Sequence, residues 1–205
     1  MNTNLEAYYR LHARFYDATR WSFLFGRAEI IRRITQDTKP ARILEIGCGT
    51  GTNLLALHRA FPEARIHGYD ISADMLKIAR RKTAAAGDRI QIHHQPYNAS
   101  VSRSVRRKPF DLILAAYCLS MINPGFESVL QSAFSDLSSQ GRLAVVDFNA
   151  TRHAWFQAWM RLNRVRMEAH LLPALSEYFR PLSCDVKRAY CGLWTYFCFL
   201  GQKKV

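Results

Sequence analysis

The chain alternates short apolar segments with longer segments in which apolar residues recur every three or four positions. Apolar runs of strand length lie near residues 42–46, 66–70, 90–94, 111–116 and 142–148. The segments between them have helical periodicity, and strands that alternate with helices are typical of a parallel sheet covered on both faces. The pattern therefore predicts an α/β fold for residues 41–148.

Two flanking regions extend this prediction. Residues 1–38 carry aromatic and apolar side chains at three- and four-residue spacings, which predicts helix. Residues 151–172 predict a helix rich in Trp, Phe, Met and Arg that Pro173 ends. Two apolar segments on either side of Gly192 predict a β-hairpin, which would form the antiparallel end of the sheet.

The segment that begins at Ile43, ILEIGCGTG, carries the most specific chemical signal. Its predicted strand runs into glycines at alternate positions, which let the backbone turn sharply and lie close to a ligand. Glu45 stands two residues before the first glycine, and Asp70 ends the next predicted strand. An acidic residue at that place in a nucleotide-binding fold accepts hydrogen bonds from ribose hydroxyls. The spacing is G-x-G-x-G, without the Lys-Ser/Thr pair of a P-loop.

This combination resembles the class I S-adenosylmethionine (SAM) dependent methyltransferases. Residues 110–117 resemble that family's fourth strand, and residues 137–147 resemble its helix–glycine–fifth-strand segment. Residues 95–99 occupy the place of the turn that binds the adenine, where Asn98 replaces the usual Asp. The matches follow the family's order from about residue 41 to residue 148, and this order carries the resemblance.

The resemblance implies a Rossmann-like, seven-stranded, mostly parallel sheet with a C-terminal antiparallel hairpin, helices on both faces and an N-terminal helical lid. It implies a single methyltransferase domain over residues 1–205. Within it, residues 1–40 would form the lid, residues 41–148 the SAM-binding core, and residues 149–205 a substrate-side helix and the hairpin.

The resemblance also implies which residues contact SAM or its product S-adenosylhomocysteine (SAH). Glu45 would accept from the amino group, the amides of the glycine turn would receive the carboxylate, and Asp70 would bind the ribose diol. A core position is an equal alternative for Met75. The expected cofactor-binding residues are Tyr16, Glu45, Gly47, Cys48, Gly49, Gly51, Asp70, Ile71, Met75, Tyr97, Asn98, Ala116 and Tyr117. No metal is expected, because the methyl group of a sulfonium is already electrophilic.

The acceptor must be inferred from residues outside these motifs. Residues 8–27 resemble the N-terminal lid of bacterial lipid-amine N-methyltransferases, which act on phosphatidylethanolamine or betaine-lipid headgroups. Aromatic faces hold a methylated ammonium well, and this segment with the fourth strand supplies Tyr8, Tyr9, Tyr16, Trp21 and Tyr117. Tyr16 is the preferred lid residue at the reacting groups. The candidate proton acceptors are His12, His153 and water, and for each histidine the alternative is a surface or packing role.

The formal charge of +13 indicates which kind of partner the protein would attract. Such an excess attracts polyanions, which include nucleic acids and anionic membranes, although a solvated basic surface is the simpler alternative. Trp155 and Trp159 share a predicted helical face near Arg161 and Arg164, which suits a helix lying in a headgroup layer. The alternative is an amphipathic helix that covers the active site with its tryptophans in the core.

Several classes of protein are excluded or disfavoured. No uncharged apolar run of about 18 residues is present, so no transmembrane helix is expected. The N-terminus has no signal-peptide pattern, which favours a cytoplasmic protein. The charge and the resemblance of the lid would place it peripherally at the inner face of the membrane. The 5 cysteines lack C-x-x-C spacing, which argues against a disulfide framework or a zinc site. Cys184, Cys191 and Cys198 are expected to be reduced and buried.

Three functional hypotheses follow. The preferred one is a SAM-dependent methyltransferase that N-methylates a lipid headgroup amine at the membrane surface. The second is a methyltransferase of a soluble small molecule, such as an amine or a phenol. The third is an RNA-binding or RNA-modifying methyltransferase. It is disfavoured because Ala116-Tyr-Cys-Leu119 stands where an N/D-P-P-Y tetrad would follow the fourth strand.

Overall fold

The computed structural model describes residues 23–98 and 108–204, and its centre is one seven-stranded sheet. The strands are β1 (Arg42–Ile46), β2 (Arg65–Asp70), β3 (Ile90–His94), β4 (Phe110–Ala116), β5 (Leu137–Ala150), β6 (Phe179–Ala189) and β7 (Trp194–Lys203). Their order is β3-β2-β1-β4-β5-β7-β6. The first five strands pair in parallel, whereas β7 is antiparallel to both β5 and β6. The predicted fold class is confirmed.

The helices of the described residues cover both faces of this sheet. They are α1 (Arg27–Asp37), α2 (Thr52–Ala60), α3 (Ala73–Thr83), α4 (Phe126–Asp136), α5 (Ala154–Leu162) and α6 (Leu171–Tyr178). Short 3₁₀ segments occur at Ala84–Arg89, Leu119–Met121 and Tyr190–Gly192. Helices α1 to α3 pack on one face, while α4 and α6 pack on the other.

Alternate residues of the central strands enter two separate apolar cores. In β1, Ile43 joins the core beneath α1 to α3, and Leu44 joins the core beneath α4 and α6. In β4, Leu112 and Ile113 divide in the same way. A strand buried on both faces has a continuous apolar sequence without polar alternation. This is why these strands could be recognised from the sequence.

The predicted helix over residues 151–172 is wrong in its second half. Helix α5 ends at Leu162, and Arg164 adopts a left-handed conformation with φ of 61°. Beyond it Val165 and Met167 are buried in the core while Arg166 between them is exposed. Burial of every second side chain requires an extended chain, so tertiary packing overrides the helical periodicity.

Pro173 does not end a helix. It is the third residue of α6, where a backbone N–H has no partner within the helix in any case.

Strand β5 begins at Leu137, five residues before the predicted start at 142, because Leu137 already pairs with Phe110. Cys184 and Cys191 are free as expected but exposed, which corrects the prediction that they are buried.

Residues 1–22 lie outside the described part of the chain, so of the predicted N-terminal helical region the structure describes α1 and the turn before it. None of the helices that are described is long and apolar enough to cross a bilayer.

Candidate active site

A cavity of about 380 Å³ lies at the carboxyl ends of β1, β2 and β4. The last residues of these strands, Ile46, Asp70 and Ala116, all line it. The chain runs outward from β1 to β3 and then returns to place β4 on the other side of β1. Ligands of open α/β sheets bind at such a reversal, outside the carboxyl ends of the strands.

The turn from Gly47 to Gly51 joins β1 to α2 and forms one wall of the cavity. Gly47 N donates to Tyr69 O at 2.8 Å, which fixes the turn to the end of β2. A Cβ atom at Gly47 would lie 2.6 Å from Cys118 Cβ, and one at Gly51 would lie 3.1 Å from Ala79 Cβ. Packing within the protein therefore requires these two glycines, whatever the cavity binds.

Gly49 differs from Gly47 and Gly51 because a Cβ atom there would meet no atom of the described residues within 4 Å. It lines the cavity, and its N–H donates to Asp70 Oδ2 at 2.8 Å. Asp70 Oδ1 accepts from Ser72 N at 2.9 Å. Burial raises the pKa of Asp70, while these two N–H donors oppose that rise. Asp70 therefore anchors the one glycine whose open side faces the cavity.

Glu45 is a buried carboxylate, 1% exposed, at the carboxyl end of β1. Its Oε1 accepts from Asn53 Nδ2 at 2.8 Å, and Asn53 Oδ1 accepts from Arg27 Nε at 3.0 Å. Among the described residues, Glu45 Oε2 has no hydrogen-bond partner. Burial raises the pKa of Glu45 to about 8, although Asn53 and Arg27 oppose the rise. A buried acceptor left without a donor is costly, so this oxygen is suited to a cationic ligand group.

The opposite wall is largely apolar. Met75 is 1% exposed in α3, Ile71 is about half exposed, and both line the cavity. Tyr97 completes this wall, and its hydroxyl donates to Asp136 Oδ2 at 2.7 Å. The bond fixes the Tyr97 ring and leaves its apolar surface to the cavity. An apolar wall with a fixed aromatic ring suits a flat heterocycle.

The side of the cavity beyond β4 is formed by a different set of residues. Tyr117 has a φ of 55°, and its hydroxyl donates to Phe25 O at 2.8 Å. Met121 and Arg164 line the same side. Arg164 reaches it because the chain leaves α5 in a left-handed conformation, and Arg166 N then donates to Ser120 O at 2.9 Å. This side therefore includes a basic residue, Arg164.

Most of the predicted cofactor-binding residues that are described meet at this cavity. Those that line it are Glu45, Gly47, Cys48, Gly49, Asp70, Ile71, Met75, Tyr97, Ala116 and Tyr117. Gly51 and Asn98 do not line it. Gly51 instead precedes α2 and packs against Ala79, and the neighbours Gln95 and Pro96 line the cavity where Asn98 does not.

The residues predicted to contact the substrate or the membrane do not meet at one place in the described part of the chain. Tyr8, Tyr9, His12, Tyr16 and Trp21 lie outside the described residues. His153 is exposed at the start of α5 and does not line the cavity. Trp155, Trp159 and Arg161 are exposed on α5, whereas Arg164, expected beside them, lines the cavity instead.

The residues that line the site but were not predicted from the sequence include Arg27, Asn53 and Met121. Asn53 is the second residue of α2, just after the glycine turn, so its polar side chain was a weak signal of a site residue. Arg27 and Met121 carried no signal, because only the packing of α1 and of the segment after β4 brings them to the cavity.

The residues present fit SAM. Glu45 Oε2, which no described residue contacts by a hydrogen bond, suits an ammonium group, and the open side of Gly49 allows a close approach to the turn. The N-terminus of α2 and Arg27 suit a carboxylate, and Asp70 suits a ribose diol. No group of three or more His, Cys, Asp or Glu side chains placed to hold a metal ion occurs in the described part of the chain.

Comparisons with known proteins agree with this site. A family model described as "Methyltransferase domain" matches residues 43–141. The chain is 32% identical to carboxy-S-adenosyl-L-methionine synthase of Campylobacter hominis over 58% of this chain and 48% of that protein. It is 33% identical to trans-aconitate 2-methyltransferase of Pseudomonas paraeruginosa over 58% of this chain and 40% of that protein. The chain thus spans less than half the length of these two curated relatives.

Two further similarities cover more of the chain. The N-methyltransferase NodS of Bradyrhizobium japonicum, solved in complex with SAH, has the same fold, with a TM-score of 0.79 and 14% identity. That match covers 98% of this chain and 100% of NodS. The tRNA1(Val) (adenine(37)-N6)-methyltransferase of Porphyromonas gingivalis is 30% identical over 73% of this chain and 69% of that protein. The chain belongs to the class I SAM-dependent methyltransferase family.

Proposed function

We propose that this protein transfers the methyl group of SAM to a small-molecule acceptor in the cavity at the carboxyl edge of the sheet. The observation that carries the proposal is the buried Glu45 oxygen that has no hydrogen-bond partner within residues 23–98 and 108–204, beside a glycine turn anchored by Asp70. When bound, SAM supplies an electrophilic methyl group. The chain contributes binding, orientation and exclusion of water, which are the main requirements of this chemistry.

Each wall of the cavity has its own role. Glu45 accepts from the ammonium group, and Arg27 with the first amides of α2 receives the carboxylate. Asp70 binds the ribose diol while it holds Gly49 in place. The apolar wall that includes Met75 and Tyr97 encloses the adenine. This arrangement leaves the side beyond β4, with Tyr117 and Arg164, for the acceptor.

A small-molecule acceptor has more support than the lipid amine favoured by the sequence analysis. Arg164 lines the cavity on the acceptor side, and a basic residue there favours an anionic group over an amine. One relative is named for trans-aconitate, and none of the relatives described above is named for a lipid. We therefore favour a small anionic acceptor.

A lipid headgroup is the second candidate, because α5 exposes a continuous apolar face. Trp155, Trp159 and Leu162 are 65%, 46% and 83% exposed, close in sequence to Arg161. Such a face suits the headgroup layer of an anionic membrane. RNA methylation is the third candidate, which the charge of +13 and the tRNA-modifying relative support.

Calorimetry with SAH and product analysis test the proposal. We expect SAH to bind with a dissociation constant in the micromolar range, and Glu45→Gln to weaken it. The protein would then be incubated with methyl-labelled SAM and separate pools of carboxylic acids, phospholipids and transfer RNA. Label in a carboxylic acid supports the proposal, label only in lipid or RNA selects the corresponding alternative, and absence of SAH binding contradicts all three.

A further inference from the structure

A second concave surface, which we call the aromatic cleft, lies near the cofactor cavity and has a volume of about 480 Å³. Its walls are almost entirely aromatic and are formed by Phe23, Trp155, Phe156, Trp159, Tyr190, Leu193 and Trp194. Strand β7 begins at Trp194 and runs antiparallel to β5, so its first residue lies beside the carboxyl end of β5. The cleft therefore opens at the same edge of the sheet as the cofactor cavity.

The floor of the aromatic cleft is preformed. Trp194 is 1% exposed and is stacked between two phenylalanines, with ring centroids 5.2 Å from Phe23 and 5.4 Å from Phe156. The outer walls are different, because Trp155 and Trp159 are exposed and do not complete their packing within the described residues. A rigid apolar floor with exposed apolar walls gains free energy when a hydrocarbon covers it.

Three connections join the cleft to the cofactor cavity. Phe23 lines the cleft, and the next residue, Leu24, lines the cavity. Phe25 O accepts from Tyr117 of the cavity wall, while the Phe25 ring packs on Tyr190 of the cleft at 5.6 Å. Helix α5 lines the cleft, and Arg164, two residues beyond its end, lines the cavity. A molecule longer than the cavity would reach the cleft across these shared walls.

The charges near this junction are positive. Arg161 and Arg166 both pair with the single carboxylate of Glu168, at 2.6 and 2.7 Å. Arg164 forms no ion pair with any residue in 23–98 or 108–204. An anionic group would be attracted to this place, whereas an apolar chain would be attracted to the cleft.

We infer that the methyl acceptor is an anionic amphiphile whose charged head enters the cavity beside Arg164 and whose hydrocarbon chain lies in the aromatic cleft. This inference rests on the proposed function, because it assigns the acceptor of the same site. It goes further by assigning the cleft to the acceptor's chain, which extends the acceptor site beyond the cofactor cavity.

The test uses straight-chain fatty acids from hexanoate to dodecanoate as probes, each kept below its micellar concentration, with the protein saturated with SAH. Calorimetry and tryptophan fluorescence would measure their dissociation constants. We expect the dissociation constant to fall about two- to fourfold per added methylene until the cleft is filled, since a fully buried methylene contributes about 0.8 kcal/mol. A dissociation constant that does not change with chain length would overturn the inference.

Two variants locate the chain. Trp159→Ala removes an exposed wall of the cleft and should weaken dodecanoate about tenfold, with little effect on hexanoate. Leu162→Ala is the matched control, because Leu162 is on the same helix and 83% exposed but does not line the cleft. Equal effects of the two variants would contradict a chain in the cleft.

A third variant locates the head. Arg164→Gln should raise the dissociation constants of all chain lengths by a similar factor, about tenfold, and leave the dependence on chain length unchanged. A variant with unaltered affinity for every fatty acid would overturn the placement of the head.

The membrane alternative has its own outcome in the same experiments. Binding only to phosphatidylglycerol vesicles, weakened equally by Trp159→Ala and Leu162→Ala, would overturn the inference in favour of a membrane-inserting face on α5. SAH affinity is measured independently of the fatty acids. A failure of the proposed function therefore appears as loss of SAH binding, whereas a failure of this inference appears with SAH bound normally.

Discussion

At the scale of single residues, the site depends on a carboxylate that the fold removes from water. Glu45 keeps one hydrogen bond, from Asn53, and its other oxygen has no partner among the described residues. Burial raises its pKa to about 8, so the free protein holds a proton on Glu45 at neutral pH. A ligand ammonium favours the charged form, so binding must displace that proton.

This linkage predicts that SAH binding releases a proton and strengthens as the pH rises from 6 towards 8. Calorimetry at pH 7 in buffers of different ionisation enthalpy measures the release. Glu45→Gln should weaken SAH binding by about 1.5–3 kcal/mol and abolish proton release. Binding by the wild-type protein without proton release would show that Glu45 does not contact the ammonium.

The glycines of the turn provide a second prediction at this scale. Gly47→Ala should destabilise the fold by more than about 2 kcal/mol, because its Cβ would lie 2.6 Å from Cys118 Cβ and its φ is positive. Gly49→Ala carries only the left-handed cost of about 1–2 kcal/mol but places a methyl group towards the cavity. Chemical unfolding and SAH titration separate the two effects. Equal destabilisation with unchanged SAH affinity in Gly49→Ala would contradict this assignment.

At the scale of elements, a few side chains fix the ends of strands to one another. Asp70, the last residue of β2, accepts from Gly49 N of the turn after β1 and from Ser72 N before α3. Tyr97, which follows β3, donates to Asp136 at the end of α4. These bonds hold the glycine turn and the wall that contains Tyr97 in place. We therefore expect cofactor binding to depend on the positions of these elements as well as on direct contacts between side chains and cofactor.

Asp70→Ala should therefore weaken SAH binding by about 1–3 kcal/mol, through the lost ribose contact and the released turn. Asp74→Ala is the matched control, since Asp74 is exposed in the first turn of α3 and does not line the cavity. Titration calorimetry on both variants decides the matter. Full SAH affinity in Asp70→Ala would disprove its role.

At the scale of the whole molecule, buried acids make stability depend on pH. Burial raises the pKa of Asp147 to about 6, and Asp147 Oδ2 accepts from Ser120 N at 3.1 Å in the turn after β4. Asp147 and Glu45 bind protons more tightly in the folded chain than in the unfolded chain. The stability they provide is complete below their ordinary pKa values and is lost as the pH rises through 6 and then 8.

The contribution of these two acids to the free energy of unfolding should accordingly fall between pH 5 and pH 8, by an amount on the order of 3 kcal/mol. Burial lowers the pKa of His67, His93 and His170, so these histidines oppose the fall at the acidic end of the window. Urea unfolding at four pH values in this window measures it. Asp147→Asn should reduce the part of the fall between pH 5 and pH 6 and leave the part near pH 8. Stabilities of the wild-type protein and Asp147→Asn that change in parallel across the window would show that burial does not raise the pKa of Asp147.

The parts of the fold that could be predicted were those with a local cause. Strands buried on both faces have continuous apolar sequences, so β1 and β4 were found within one residue of their bounds. The positions of Glu45 and Asp70 followed from the turn and the strand ends. Predictions failed where packing overrode the periodicity, as at Arg164, where burial of Val165 and Met167 extends the chain.

The sequence by itself determined the fold class, the glycine turn and the family resemblance, because each depends on residues close together in the chain. Only the tertiary structure decided that Arg27 reaches Glu45 through Asn53 and that Arg164 lines the cofactor cavity. It also brought together Phe23, α5 and Trp194 in the aromatic cleft. Contacts between residues far apart in sequence arise from the packing of whole elements, which the local pattern of apolar and polar positions does not specify.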